Sequence, residues 1–269
     1  MSTMPDTPQE PYYLAPDGPD GDRYHATFST TGPWFADAQH AGPPSALLVR
    51  ALERCDPRPD TELARITVEV LGPVPAGDVL VRAAVERPGR TVELLAAELT
   101  AGGRAVLRAR AWRVRGGDTA AVALGAADPL PGPDAGTARP ERPAGWLPGF
   151  LDTVEWRWLR GWLAEPGPGV VWGRQRVPLV AGEEPSPLQR LAVVADSGNG
   201  AASPLDLREW LFVNTDLTLH LHRPPRGEWI AVDASTVVGP TGMGTVSGRL
   251  HDTAGHVGRS AQALIVRRR

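Results

Sequence analysis

Cysteine is nearly absent. Cys55 stands alone among 269 residues, so no internal disulfide can form, and its place on a helical apolar stripe reads as a small hydrophobe. Basic excess is absent too. A formal charge of −3 gives no broad positive field and argues against nucleic acid as a partner; Arg267, Arg268 and Arg269 read as a solvated tail, with a phosphate contact as the alternative. No apolar run approaches the roughly 20 residues a membrane helix needs. The stretch Met1 to Glu10 has neither a basic region nor an apolar core of the kind a secretion signal carries. A soluble cytoplasmic protein is expected, with no membrane partner. His220-x-His222 lacks the Cys or carboxylate cluster that would complete a metal site, so packing or solvent exposure is expected there and no metal. What the chain does have is 42% apolar residues, enough at this length to fill a large core.

The stretch from Ser186 to Arg223 organises the rest. Ser186 and Gln189 have capping-box spacing, with Pro187 at the first helical position, where its missing N–H costs nothing. Leu188, Leu191, Ala192 and Ala195 then share one helical face, and Asp196 falls on that face four residues after Ala192. Ser197-Gly-Asn-Gly200 is expected to stop the helix. A carboxylate at the end of a buried stripe is costly unless something pairs with it or uses it. From Asp216 the period changes to two, with Leu217, Leu219 and Leu221 on one side and Asp216, Thr218, His220 and His222 on the other, which is a half-buried strand.

The first half carries a similar order. A strand over Arg23 to Ser29 precedes His40-Ala-Gly42-Pro-Pro, where a helix opens with Leu48, Ala51, Leu52 and Cys55 on one face. Asp56-Pro-Arg-Pro59 ends it. Four strands follow in meander order, around Ile66, Asp78 to Val85, Thr91 to Leu99 and Arg104 to Val114. A shift of 150 lays Leu71-Gly-Pro-Val-Pro-Ala-Gly77 over Leu221-His-Arg-Pro-Pro-Arg-Gly227, and with a two-residue slip Val114 falls on Val266. Two copies of one unit are expected. The chain divides into a flexible N-terminus (1–22), a first unit (23–115), a linker rich in Gly, Ala, Pro and Asp (116–145) and a second unit (146–269). Trp156, Trp158 and Trp162 on a strand read as core or interface packing. Gly242-Met-Gly244 has the wrong spacing and context for a nucleotide loop and reads as a hairpin turn.

Ala195-Asp-Ser-Gly-Asn199, Asn214-Thr-Asp-Leu-Thr218 and the closing Gln262 resemble the acyl-CoA thioesterase II family, and within it an actinobacterial-type branch. The resemblance covers roughly residues 23 to 267. It implies an α+β double hotdog, two tandem units each with a long helix wrapped by an antiparallel sheet. It also implies hydrolysis of an acyl-CoA or acyl-carrier thioester without cofactor, by a water held between Asp196, Asn214 and Gln262. Asn214 stands where the family has Thr; it can still donate and accept hydrogen bonds.

Thioester hydrolysis needs an activated water and donors for the charge that builds on the carbonyl oxygen. Asp196 would orient and deprotonate the water, Asn214 and Gln262 would fix it, and a main-chain N–H near a central helix would receive the oxyanion. His40 and Gly42 are candidates for substrate binding, since free amides at the helix start could meet a thioester carbonyl or a phosphate. Asp216, on the strand face of Asn214, would support them. Asp196 could instead be a turn residue bonding the Ser197 and Gly198 amides, and Gln262 a structural bond between units. No Gly-x-Ser-x-Gly elbow is present, which argues against an α/β-hydrolase. The rivals are a non-catalytic acyl-thioester binder and a dehydratase or acyl-transfer enzyme. A dehydratase would use His40 with an acidic partner, and the first-half helix offers only the distant Glu53. Association into a homo-oligomer through exposed sheet surfaces is compatible with this design.

Overall fold

The computed structural model describes residues 10–18, 20–139, 142–143, 145–163, 165–203 and 205–269. The beginning of the expected flexible N-terminus, residues 1–9, lies outside them. In the first half, β1 (Tyr13–Leu14) and β2 (Arg23–Ala26) precede α1 (Gly42–Arg54). Then come β3 (Thr61–Val70), β4 (Gly77–Arg87), β5 (Val92–Ala101) and β6 (Arg104–Arg115). In the second half, β7 (Val154–Trp162) and β8 (Glu165–Gln175) precede α2 (Pro187–Ala195) and α3 (Gly198–Ala201). They are followed by β9 (Trp210–Asn214), β10 (Asp216–Leu221), β11 (Trp229–Val238), β12 (Met243–Asp252) and β13 (Gly255–Arg268).

The strands join in one sheet of order β1-β2-β4-β5-β6-β3-β10-β13-β12-β11-β8-β7, with β9 pairing β13 beside it. Each half of this sheet curls over its own helix, α1 against β3 to β6 and α2 against β8 and β11, and the two helices pack on each other. This is the double hotdog. The halves join where β3 pairs β10, with Thr67 opposite Thr218 and Val68 opposite Leu217. A shift of 150 carries 67 onto 217 and 68 onto 218, so these four residues pair crosswise, as a two-fold axis between duplicated units requires.

The two helices run antiparallel. Gly42 at the start of α1 lies against Val193 near the end of α2, while Glu53 at the end of α1 meets the start of α2. Ser186 caps α2 as its sequence suggests, accepting from the Gln189 amide at 3.1 Å. The reciprocal half of the capping box does not form. Gln189 Nε2 donates to Glu53 at 2.6 Å, and Ser186 Oγ donates to the same carboxylate at 2.7 Å, so a bond expected within one helix joins two. Arg113 closes the C-terminal end of α1 by donating to the Cys55 and Asp56 carbonyls, both at 2.8 Å, while its Nε holds Glu93 at 2.7 Å.

Three local expectations change. Ser197-Gly-Asn-Gly200 does end α2, but the chain turns directly into α3, because small residues let a second helical turn nest on β8; a Cβ on Gly169 would lie 1.9 Å from the Ala201 carbonyl oxygen. The strand from Arg23 stops at Ala26, where Thr27 caps a short 3-10 turn, Phe28–Thr30. Within the stretch expected to be flexible, Tyr12 and Tyr13 are wholly buried, their amides bonded to the Pro178 and Leu179 carbonyls.

Replacing Glu53 with Ala removes the acceptor shared by Ser186 and Gln189. Urea unfolding should show a loss of roughly 1–3 kcal/mol with the far-UV spectrum unchanged; an unchanged midpoint would mean that the clamp contributes nothing.

Candidate active site

Asp196 caps the C-terminus of α2 and is 2% exposed. Three other segments converge on it. Asn214, the last residue of β9, donates from Nδ2 to Asp196 Oδ1 at 2.9 Å and to the Asp216 carbonyl at 3.2 Å. Gln262 points inward from β13 with Leu264 and Val266, as the strand alternation predicts, and its Nε2 donates to the Asp196 carbonyl at 3.1 Å and to Oδ1 at 3.5 Å. From the first half comes His40, whose Nδ1 lies 3.2 Å from Asp196 Oδ2. The structure thus brings Asp196, Asn214 and Gln262 together. His40 joins them in direct contact with the carboxylate, which the sequence did not reveal.

His40 is held on three sides. Its ring lies flat on Phe150, centroids 3.8 Å apart and planes at 11°, its amide donates to Thr30 O at 2.7 Å, and its Nδ1 accepts from the Gly42 amide at 3.0 Å. Gly42 is required by space: a Cβ would lie 2.7 Å from Val193 O and 3.1 Å from His40 Nδ1. The expectation of free amides at this helix start is therefore corrected. The Gly42 N–H is shared between His40 and Asp196, and Pro43 and Pro44 have none to offer.

Asp216 also has another role than the one expected of it. Its carboxylate accepts from the Ala263 amide at 2.7 Å and from Thr218 at 3.3 Å, fixing the crossing of β10 and β13 rather than facing the cleft. Glu53 is not the only acid available to His40, since the partner comes from the other half of the chain. Of the two histidines on β10 and its exit, His220 is exposed and His222 stacks on His256 at 4.9 Å.

The cluster opens on a cleft of about 320 Å³, lined on the polar side by His40, Asp196, Asn199 and Asn214 and on the apolar side by Trp34, Phe35, Leu71 and Ile265. A small cavity of about 20 Å³ also touches His40, among Trp146, Trp156, Trp158 and Ser197. Burial dominates the electrostatics. It pushes the Asp196 carboxyl up to about 7, against the smaller opposing pull of the Asn214 and Gly42 hydrogen bonds, and it brings His40 down to about 3. At mildly acid pH the pair is therefore a neutral carboxyl beside a neutral imidazole, and the carboxylate forms near neutrality.

The double-hotdog fold and the matches along the chain place the protein among thioester hydrolases. The chain belongs to the acyl-CoA thioesterase family: residues 30–114 match the model of its N-terminal domain and residues 129–266 that of its C-terminal domain. Similar solved structures include a hot dog protein of unknown function from Alicyclobacillus acidocaldarius (14% identity over 92% of this chain and 94% of that chain, TM-score 0.73). A candidate thioesterase from Novosphingobium aromaticivorans is 20% identical over 95% and 98% of the two chains, with TM-score 0.71. Acyl-CoA thioesterase II TesB2 from Mycobacterium marinum is 17% identical over 92% of both, with TM-score 0.64. At these identities the likeness speaks for the fold. No curated protein matches significantly.

Because the folded state keeps the Asp196 proton that the unfolded chain releases at lower pH, folding stability falls as pH rises from about 4 through 7 and then levels. An amide in its place does not titrate. Asp196→Asn should therefore gain stability relative to the native chain on going from pH 4 to pH 8, by at most on the order of 4 kcal/mol. Urea melts at the two pH values measure it, and an equal difference at both would contradict the burial argument.

Proposed function

We propose that the protein hydrolyses acyl-CoA or a related acyl thioester by direct attack of water, with no covalent acyl-enzyme. The observation that carries this reading is the meeting of Asp196, Asn214 and Gln262, from three separated segments, with Asp196 and Asn214 lining the polar end of an otherwise apolar cleft and Gln262 behind Asp196. The family supports it, and so does the name of the Mycobacterium marinum neighbour. The carboxylate supplies the negative charge that activates water, and the two amides keep both it and the water in place.

With the start of α1 closed, the donor for the carbonyl oxygen is best sought in Asn199. It is 4% exposed, lines the cleft, and among the described residues its side chain makes one long bond, 3.4 Å from Nδ2 to Phe212 O. Charge then builds on the oxygen within reach of an amide hydrogen, the tetrahedral adduct collapses, and the C–S bond breaks to release thiol and acid. Apolar Phe35, Leu71 and Ile265 on the cleft rim suit an acyl or pantetheine chain.

One observation favours a second reading. A histidine and an aspartate side by side could remove a proton next to a thioester carbonyl, so a 3-hydroxyacyl dehydratase shares these groups. The two reactions differ in product. Thiol release from a panel of acyl-CoAs should be seen with the native protein, with kcat/KM rising as pH passes through about 7, where Asp196 becomes the base. Asp196→Ala and Gln262→Ala should lower kcat at least about 100-fold while acyl-CoA still binds. Enoyl product without free thiol would select the dehydratase, and binding without turnover would make the protein a binder.

A further inference from the structure

Asp196 reaches the cleft, but its carboxylate is already engaged by neighbouring groups. Its Oδ1 already accepts from Asn214 at 2.9 Å and faces Gln262 at 3.5 Å, its Oδ2 faces His40, the Gly42 amide bonds the carboxylate, and the residue is almost fully enclosed. His40 has the complementary arrangement. Its Nδ1 is committed to Asp196, its ring is pinned on Phe150, and it lines both the cleft and the small cavity. Its Nε2 makes no hydrogen bond among the described residues.

We propose that His40 is a catalytic residue of the hydrolysis, its Nε2 taking the proton of the attacking water while Asp196 holds Nδ1 from behind. This rests on the hydrolase reading. Once Asp196 is ionised, a carboxylate oxygen 3.2 Å from Nδ1 favours the tautomer with hydrogen on Nδ1, and the Gly42 amide turns to the carboxylate. The lone pair is then on Nε2. A base oriented by a second group is the arrangement that nucleophile activation needs.

The step balances. A water O–H bond breaks and its proton goes to Nε2 as the oxygen bonds the carbonyl carbon, whose π pair moves to the carbonyl oxygen. When that pair returns, the C–S bond breaks with its electrons on sulfur. Nε2 gives the proton to the thiolate, so thiol and carboxylic acid leave and the imidazole is neutral again. The imidazolium exists only between these events, beside the Asp196 carboxylate. Burial keeps the ring uncharged before substrate arrives, so the base form is the resting form.

The test compares native protein with His40→Gln, which keeps a polar group beside Asp196 but no base, in thiol release from acyl-CoAs between pH 5 and 9. The proposal expects kcat to fall about 10²- to 10⁴-fold with KM changed little, and the residual rate to lose its rise near pH 7. A variant within tenfold of native that keeps that rise would show Asp196 to be the base and overturn the proposal, leaving the hydrolase intact. Should the native protein release no thiol, the hydrolase reading falls and this one with it. Nitrogen NMR of the His40 ring in native protein gives an answer independent of the variant's folding. At pH 8 the proton should be on Nδ1; a proton on Nε2 would overturn the assignment.

Discussion

Everything at the site depends on how closely the start of α1 approaches the end of α2. The gap at Gly42 is closed to the point that a single added carbon would fall 2.7 Å from the Val193 carbonyl. Antiparallel packing of two tandem helices makes each start meet the other's end, so Asp196 sits between the negative end of its own helix and the positive end of its neighbour. Those two fields oppose each other. The Gly42 and Asn214 donors favour the carboxylate, yet burial outweighs them and the carboxyl rises to about 7. A looser approach at Gly42 would admit water and carry His40 away from Asp196. The same contact that compacts the core therefore sets the chemistry.

The pseudo-two-fold axis makes a second such junction, and the chain uses it differently. At the far end of the helix pair Glu53 faces the start of α2, as Asp196 faces the start of α1. There the carboxylate receives Ser186 at 2.7 Å and Gln189 at 2.6 Å, and burial again raises its pKa, with both hydrogen bonds pulling the other way. Both donors are side chains of α2, and the junction is a clamp. At the Asp196 end the neighbours are a histidine, an asparagine and a glutamine from three other segments, and the space beyond them is a cleft. Duplication supplied two equivalent junctions; the side chains around each carboxylate made one a fastener and the other a reaction centre.

Much of the fold was legible in the chain because local rules and packing agree. Pro43, Pro44 and Pro187 mark helix starts, Leu217 and Leu219 alternate with polar residues on β10, and the residues that a shift of 150 relates pair crosswise where β3 meets β10. Where they disagreed, tertiary contact won. Gln189 left its own cap for Glu53, and Ser197 to Gly200 continued as α3 because β8 presents Gly169 to it. The meeting of Asp196, Asn214 and Gln262 was legible through family resemblance rather than spacing. The His40 contact was not legible at all, since 156 positions separate it from Asp196 and no periodicity spans them. One signal was available: in antiparallel tandem helices the residue before one helix must lie near the residue after the other.

Polar satisfaction marks the same place. Among the described residues Gln262 Oε1 and Ser197 Oγ are buried without a hydrogen-bond partner, and at Gly198 the missing side chain leaves Gln262 Oε1 3.1 Å from where a Cβ would stand. An unpaired buried acceptor costs roughly 1–3 kcal/mol, and a desolvated carboxylate adds to that. A chain selected for stability alone would replace Gln262 with Leu, as its inward neighbours Leu264 and Val266 indicate. Keeping an amide with its oxygen unpaired, next to a carboxyl held near neutrality, makes sense if these atoms interact with something other than the protein during turnover. The destabilisation is thus confined to the few residues around Asp196, while the Glu53 clamp joins the two halves and the Arg113 cap secures α1 within the first.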